Sequence, residues 1–293
     1  MKKNILFFAL IMAISISINA QEEAEKVWKT GSMGSLSFSQ VALTNWAAGG
    51  ESSISGNLLF NMFANYKKGK STWDNTFDFG YGSMKQGDFD WRKTDDKIEL
   101  ASKYGQYAFE HWYYSALVNF KTQMTTGFNY SDDPDIEDVE ISQLMAPAYL
   151  NIALGMDYKP NDDFSLLVSP LSGKITFVND TLLSNAGSFG VEPGDKIRSE
   201  FGAYIKMTYK HDIMENVALS TKLDLFSNYM ENPQNIDINL ELLISMKINK
   251  YLTATISATM IYDDDIMIAD DMGKVSPRIQ MKEVFGIGIA YKF

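Results

Sequence analysis

The most telling alternation in this sequence is Val284-Phe285-Gly286-Ile287-Gly288-Ile289-Ala290-Tyr291-Lys292-Phe293. One set of alternate positions carries aromatic and branched side chains, and the other carries small residues with one lysine near the end. A period of two places successive side chains on opposite faces of a β-strand. A strand with bulky apolar residues on one face and glycines on the other is typical of a transmembrane β-barrel, whose outer face contacts lipid.

Other segments repeat this alternation along the chain, and 236–249 is the clearest, with isoleucine, leucine and methionine on one face and mainly polar residues on the other. The predicted strands are 36–45, 53–66, 71–84, 95–108, 112–127, 146–158, 164–177, 197–210, 216–229, 236–249, 251–262 and 280–293. An all-β fold follows: an antiparallel transmembrane barrel of about 12 strands, an even number as in single-chain bacterial barrels. Ten or fourteen strands remain alternatives because strand boundaries are hard to place from sequence. In this barrel the last strand pairs with the first, at 36–45.

The predicted strands are joined by connections that alternate in length. The long ones are 85–94, 128–145, 178–196 and 263–279. Such asymmetry predicts long loops on the outer side and both termini on the periplasmic side, although the outward loops 46–52 and 230–235 are short. The apolar residues Leu182, Leu183, Phe189 and Val191 in the loop 178–196 predict packing on the barrel rim, with an inward constriction as the alternative.

The amino terminus predicts export from the cytoplasm. Lys2 and Lys3 precede an apolar segment at 5–18, and small residues lead to a cleavage site after Ala20, which is the pattern of a signal peptide. A retained membrane anchor is the alternative, but the apolar segment is shorter than the roughly 20 residues that a spanning helix needs. The expected organisation is a signal peptide at 1–20, a short periplasmic segment at 21–35 and the barrel at 36–293.

Compartment and partners follow from the same features. The terminal aromatic Phe293 resembles the carboxyl-terminal signal that barrel-assembly machinery reads, which predicts the bacterial cell outer membrane, with its lipid and lipopolysaccharide as surroundings. The formal net charge of −11 argues against a nucleic-acid surface, which needs basic patches to neutralise phosphates. No feature identifies a protein partner or a cofactor. An ordinary soluble β-barrel is the alternative that this compartment prediction leaves open.

If the apolar faces contact lipid, the opposite faces carry charges of both signs into the barrel. The predicted lumen-lining charges are Asp74, Asp78, Lys97, Glu99, Lys103, Lys121, Lys206, Lys222, Asp224, Glu241, Lys247 and Lys282. They are expected to pair across the bore and fill it with a polar network. In one interpretation this network only maintains the shape of the barrel. In the other it borders a narrow passage that sorts solutes by charge.

Catalysis is not expected from the two histidines. His111 and His211 both fall at predicted periplasmic turns, and neither has a nucleophile or an orienting group in a recognisable pattern. The protein is therefore predicted not to be an enzyme. Two acidic loops contain weak candidates for divalent-metal ligands, because carboxylate oxygens are the ligands that Ca²⁺ and Mg²⁺ prefer. These candidates are Asp132, Asp133, Asp135, Asp263, Asp264 and Asp265.

Several motifs resemble an uncharacterised family, the domain of unknown function 3078. They are Phe38-Ser39-Gln40-Val41-Ala42-Leu43-Thr44-Asn45-Trp46-Ala47-Ala48-Gly49-Gly50-Glu51, Trp73-Asp74-Asn75, Gly80-Tyr81-Gly82, Lys93-Thr94-Asp95-Asp96-Lys97 and Leu167-Val168-Ser169-Pro170-Leu171-Ser172-Gly173-Lys174. The resemblance implies an outer-membrane barrel and no assigned activity. The predicted function is a narrow, charge-lined channel for small solutes. The alternative is an accessory or binding barrel that contacts an envelope partner or a surface glycan through its outward loops.

Overall fold

In the computed structural model, residues 27–45, 47–131, 136–269 and 272–292 are described. Twelve antiparallel strands close into a barrel. The barrel strands are β1 (Trp28–Val41), β2 (Ser53–Lys68), β3 (Ser71–Gln86), β4 (Arg92–Phe109), β5 (Trp112–Thr122), β8 (Ala148–Tyr158), β9 (Phe164–Phe177), β10 (Ile197–Met214), β11 (Val217–Asn228), β12 (Asp237–Lys247), β13 (Leu252–Tyr262) and β16 (Gln280–Lys292). Around the barrel they follow the order β1-β16-β13-β12-β11-β10-β9-β8-β5-β4-β3-β2. The predicted fold class and strand number are confirmed.

The two ends of the barrel differ in their connections. At one end, here called the turn end, neighbouring strands are joined by short turns such as 69–70, 110–111 and 215–216. At the other, the loop end, the connections are longer and contain two hairpins and two short helices. These elements are β6 (Gly127–Asn129) with β7 (Val139–Ser142), β14 (Met267–Ala269) with β15 (Val275–Pro277), the α-helix α1 (Thr181–Asn185) and the 3₁₀-helix Ser188–Gly190.

No helix within the described residues is long and apolar enough to cross a membrane.

The closing seam of the barrel joins its first and last strands. β1 pairs with β16 from Met33 opposite Lys292 to Ser37 opposite Gly288, so the predicted pairing of the two ends is confirmed. On β16, Phe285 is 66% exposed on the outer face, whereas Gly286 and Gly288 lie on the inner face against β1. The faces are therefore those that the sequence predicts.

The first strand begins earlier than predicted. β1 starts at Trp28 and pairs with β2 as far as Tyr66, so residues 28–35 belong to the barrel and not to a periplasmic segment. The small polar residues in 30–35 give no clear alternation, and β2 supplies the backbone hydrogen bonds that make them a strand. The proposed signal peptide, Trp46 and Phe293 fall outside the part of the chain that the structure describes.

Candidate functional site: the lumen of the barrel

The middle of the lumen is occupied by charged side chains that meet from all sides. Four lysines and four carboxylates make up this central charge network, so that its formal charges cancel. Its members are Lys97, Lys121, Lys206, Lys222, Asp78, Glu99, Asp224 and Glu241. Each one lies on the inner face of its strand, where the period-two pattern puts it.

Two ion pairs of the network cross the full width of the barrel. Lys97 Nζ on β4 lies 2.5 Å from Glu241 Oε2 on β12, and five strands separate β4 from β12 in either direction around the barrel. Lys222 on β11 contacts Asp78 on β3, which are likewise opposite each other. Because both bridges span the bore, they divide the lumen into two halves and prevent a wide central channel.

The buried Glu99 carboxylate is the point on which several lysines of the network converge. Lys97 Nζ lies 2.9 Å from Glu99 Oε2, and Lys222 Nζ and Lys206 Nζ lie 3.8 Å and 3.9 Å from its oxygens. Asn119 donates a 2.9 Å hydrogen bond to Glu99 Oε1. Removing one member of so buried a set leaves an uncompensated charge, which typically costs ~3–5 kcal/mol. The network therefore stiffens the barrel at mid-height.

One half of the lumen is packed with side chains; we call it the filled half. Leu117, Ala153, Leu167, Tyr204 and Phe226 form a buried apolar cluster on the inner faces of β5, β8, β9, β10 and β11. Toward the turn end, Lys103 Nζ lies 2.7 Å from Asp157 Oδ2 and Lys159 Nζ lies 2.6 Å from Asp74 Oδ2. Space for a solute is therefore absent from this packed cluster.

The other half, here called the hollow half, contains a cavity of about 700 Å³. It lies between β16, β1, β2 and β3 on one side and β11, β12 and β13 on the other, and small residues line much of it, among them Gly31, Gly80, Ser220, Ser245 and Ser257. These short side chains leave open space between the larger apolar residues that also line the cavity, such as Leu59 and Phe63. The cavity reaches from the level of Gly31 and His211 near the turn end to Lys282 and Asp95 nearer the loop end.

Most of the charges predicted to line the lumen lie in it, in the central network, in the pairs of the filled half or, for Lys282, in contact with Asp95. Lys247 is the exception. It ends β12 at the turn end, is exposed, and forms no ion pair with the described residues. Its register partner is Thr253 on the inner face, so Lys247 has the predicted orientation, but because it ends the strand its side chain is exposed at the mouth of the barrel.

Other lumen charges were not singled out from the sequence. Asp157, Lys159, Lys174, Glu200 and Asp237 all form ion pairs inside the barrel or at its loop end. The local alternation is interrupted near several of them, since β8 and β9 slip register between Leu154 and Met156. The extra residues are in β9, so the bulge changes the face of Lys174 relative to Leu167 and hides this lysine from a period-two analysis, whereas Asp157 keeps the inward parity of Ala153.

At the loop end, two of the predicted metal ligands lie close to an aspartate of β12. Carboxylate oxygens of Asp263 and Asp264 lie within 4.8 Å of each other and of Asp237 on β12. Lys174 Nζ approaches the same group, at 2.6 Å from Asp237 Oδ2 and 3.4 Å from Asp263 Oδ2. The lysine therefore offsets part of the negative charge of these three carboxylates.

The remaining metal candidates are not part of that group. Asp265 Oδ2 lies 2.7 Å from Arg198 Nη1, so its carboxylate is paired with a guanidinium. Burial raises the pKa of the Asp265 carboxyl above its usual range, and the hydrogen bond and charge of Arg198 oppose that shift. Asp132, Asp133 and Asp135 are outside the described ranges.

The loop 178–196 packs on the barrel rim as predicted. Leu183 and Val191 are buried with Val178 and Ala146 in a small apolar cluster at the loop end, and Phe189 packs against it. Asp180 caps α1 by accepting a hydrogen bond from the backbone N–H of Leu183. The loop is thus anchored by its own apolar residues, while Leu182 points outward and is 72% exposed.

The histidines lie apart from each other on the turn-end side. His111 is in the turn between β4 and β5, as predicted, and its ring meets that of Tyr158 edge-on. His211 lies within β10 and not in a turn; its Nδ1 is 3.0 Å from Asp163 Oδ2, and its ring stacks on Tyr209. About half of each side chain of this histidine–aspartate pair is exposed.

Comparison with known proteins finds one matching family model and several solved structures with a similar fold. The family described as Protein of unknown function (DUF3078) matches residues 38–128. No curated protein matches the chain. Among solved structures, the translocator domain of autotransporter NalP from Neisseria meningitidis is 11% identical with a TM-score of 0.40, over 100% of this chain and 96% of that one.

Two further solved structures are similar at the same level. The COG4313 outer membrane channel from Pseudomonas putida F1 is 11% identical with a TM-score of 0.37, over 93% of this chain and 99% of that one. The outer membrane protein OmpT of Vibrio cholerae is 9% identical with a TM-score of 0.30, over 94% and 100% of the two chains. Similarities this distant carry no argument about function.

The closed antiparallel sheet, its apolar outer face and its charge-paired interior define a transmembrane barrel of the bacterial outer-membrane type. Residues 38–128 match the model of the family described as Protein of unknown function (DUF3078), which confirms the resemblance seen in the sequence for that part of the chain.

Proposed function

We propose that this protein is a narrow passage for small solutes across the outer membrane, and that solutes pass through the hollow half of the lumen. The observation that carries the proposal is the unequal filling of the barrel: one half is packed with apolar side chains, and the other holds a cavity of about 700 Å³. In this proposal the turn end faces the periplasm and the loop end faces outward, as short turns and long loops are arranged in bacterial barrels.

The size of the cavity limits what passes. Pockets for small molecules typically have volumes of ~300–1,000 Å³, so the hollow half has room for one small solute and not for a folded domain. The bridges Lys97–Glu241 and Lys222–Asp78 form one wall of this space, and their charges cancel. The passage is therefore polar at mid-height but carries no large field of one sign.

A bulky side chain in the hollow half is expected to block the passage. Ser257 lies on the inner face of β13 and lines the cavity, so Ser257→Trp fills part of the space. We expect the single-channel conductance of the purified protein in planar bilayers to fall at least ~5-fold, because a narrow pore conducts in proportion to its free cross-section.

The neighbouring residue provides a matched control for that variant. Ile256 lies on the lipid-facing side of the same strand, and Ile256→Trp adds a similar volume where it meets only lipid. Its conductance is expected to equal that of the wild type. Equal conductance for Ser257→Trp and Ile256→Trp would show that ions do not pass through the hollow half. If the wild-type protein showed no conductance at any salt concentration, the proposed passage function would be wrong.

An accessory or binding barrel is the second candidate, and exposed apolar residues at the loop end favour it. Val139 on β7 and Val275 on β15 are 61% and 58% exposed, and Met230 is 78% exposed in the connection 229–236. Apolar side chains above the lipid zone are typical of contact surfaces. Two results together would favour this candidate: the barrel does not conduct, and an envelope protein co-purifies with it. The co-purification should be lost when Val139, Met230 and Val275 are changed to serine.

A further inference from the structure

One cation of the hollow half is without a carboxylate partner. Lys210 lies on the inner face of β10 near the turn end and lines the cavity, and it forms no ion pair with the residues that the structure describes. The other lysines of this half do have partners: Lys97 and Lys222 belong to the central charge network, and Lys282 contacts Asp95. Lys210 is thus the cation left available to a solute.

The surroundings of Lys210 are partly apolar. Its Nζ lies 5.7 Å from the centre of the Phe63 ring, a distance at which a cation is attracted to the face of an aromatic ring. Met33 and Leu59 line the same cavity on β1 and β2. A positive charge beside an apolar wall recognises a molecule that has both an anionic group and an apolar part.

A glycine keeps the Phe63 ring at this place. Gly31 on β1 is opposite Phe63 in the register, and a Cβ added to Gly31 would lie 2.7 Å from Phe63 Cε1. The ring therefore rests directly on the backbone of β1, where any other residue would displace it. The apolar wall beside Lys210 thus depends on a specific residue pair and is not a chance exposure of one side chain.

The acidic residues near the turn end do not neutralise Lys210. Asp163 lies 3.0 Å from His211 Nδ1, so it has a partner. Asp212 lies two residues after Lys210 on the same face of β10. It is exposed, and it forms no ion pair with a cation among the described residues. Exposed carboxylates are well solvated and screened by salt, so Asp212 competes weakly with a ligand that reaches Lys210.

We propose that the turn-end part of the hollow half binds small organic anions with an apolar part, with Lys210 holding the anionic group and Phe63, Met33 and Leu59 contacting the apolar part. The proposal deepens the passage function and rests on it, since the solute reaches Lys210 through the open half of the lumen. It assigns a substrate class, namely short carboxylates that carry a hydrocarbon chain or ring.

Calorimetric titration of the purified, detergent-solubilised barrel with hexanoate tests this assignment. We expect saturable binding of hexanoate, and binding at least ~10-fold weaker for acetate and for hexylammonium, which lack the apolar part and the negative charge respectively. Lys210→Met is expected to weaken hexanoate binding at least ~10-fold, because the variant retains the apolar stem and removes the charge. Asp212→Asn is the matched control and should bind hexanoate at least as tightly as the wild type.

Several outcomes would overturn the site. These are no hexanoate binding at millimolar concentration, equal binding of hexanoate and hexylammonium, and unchanged binding in Lys210→Met. If a Gly31→Leu variant folds and keeps full hexanoate affinity, Phe63 does not contribute to the binding site. Hexanoate binding by a barrel without conductance would support the binding site and contradict the passage function. Conductance without hexanoate binding would support the passage function and contradict the binding site.

Discussion

Replacing Asp78, Lys97, Lys222 and Glu241 together by serine is expected to raise the single-channel conductance at least ~5-fold, the largest functional change that this structure suggests. These residues make the two bridges that cross the lumen, and serine removes their side chains from mid-height. Two positive and two negative charges leave together, so Lys121, Lys206, Glu99 and Asp224 remain balanced. The hollow and filled halves then communicate.

The expected cost in stability is below that of a single replacement because both partners of each bridge are removed, although Lys121 also loses Glu241. Breaking a buried ion pair on one side only typically costs ~3–5 kcal/mol, whereas removing both partners is often close to neutral. The single variant Lys222→Ser is therefore expected to fold in lower yield than the fourfold variant. Conductance in planar bilayers and the fraction of heat-modifiable folded protein on gels measure the two effects.

The pair Lys103 and Asp157 provides the control for position. These residues form an ion pair beside the filled half, and changing both to serine removes one charge of each sign without touching either bridge. Conductance of this double variant is expected to match that of the wild type. If the fourfold variant also matched the wild type, the bridges would not limit the passage, and the assignment of the hollow half as the conducting path would be wrong.

Gly288→Ala is expected to prevent closure of the barrel, with the folded fraction reduced at least ~10-fold, because overpacking against backbone commonly costs several kcal/mol. Gly288 lies at the seam between β16 and β1, and a Cβ at this position would overlap the carbonyl oxygen of Leu36 and approach Ser37 Cα to 2.5 Å. Neither atom can turn away, since both belong to the partner strand. The seam then opens, and unpaired backbone groups face lipid.

Gly286→Ala is the matched control on the same face of the same strand. A Cβ at Gly286 would meet the hydroxyl of Ser37 at 2.8 Å, which can rotate away, and Ser37 Cβ at 3.0 Å, which needs only a small shift of the strand. Its folded fraction, measured by heat modifiability and resistance to protease after refolding, is expected to stay near that of the wild type. Equal folding of the two variants would mean that the seam between β1 and β16 is looser than the structure indicates.

The alternation of side chains predicted most of the fold. Phe285, Ile287 and Ile289 on one face and Gly286 and Gly288 on the other identify both faces of β16, and the same pattern recurs on the remaining barrel strands. The number of alternating segments predicted the number of strands, and an even number of strands predicted that the last strand pairs with the first. The start of β1 at Trp28 did not follow, because the small residues in 30–35 show no periodicity and become a strand by pairing with β2.

By itself, the sequence determined the members of the central charge network, since a strand with period two assigns each residue to one face or the other. Only the tertiary structure decided which of them meet. Lys97 and Glu241 are 144 positions apart in the chain, and they pair because closure and register set β4 opposite β12 at the same height. The same closure packs an apolar cluster tightly in one half, places many short side chains in the other, and leaves Lys210 as a cation facing an open cavity.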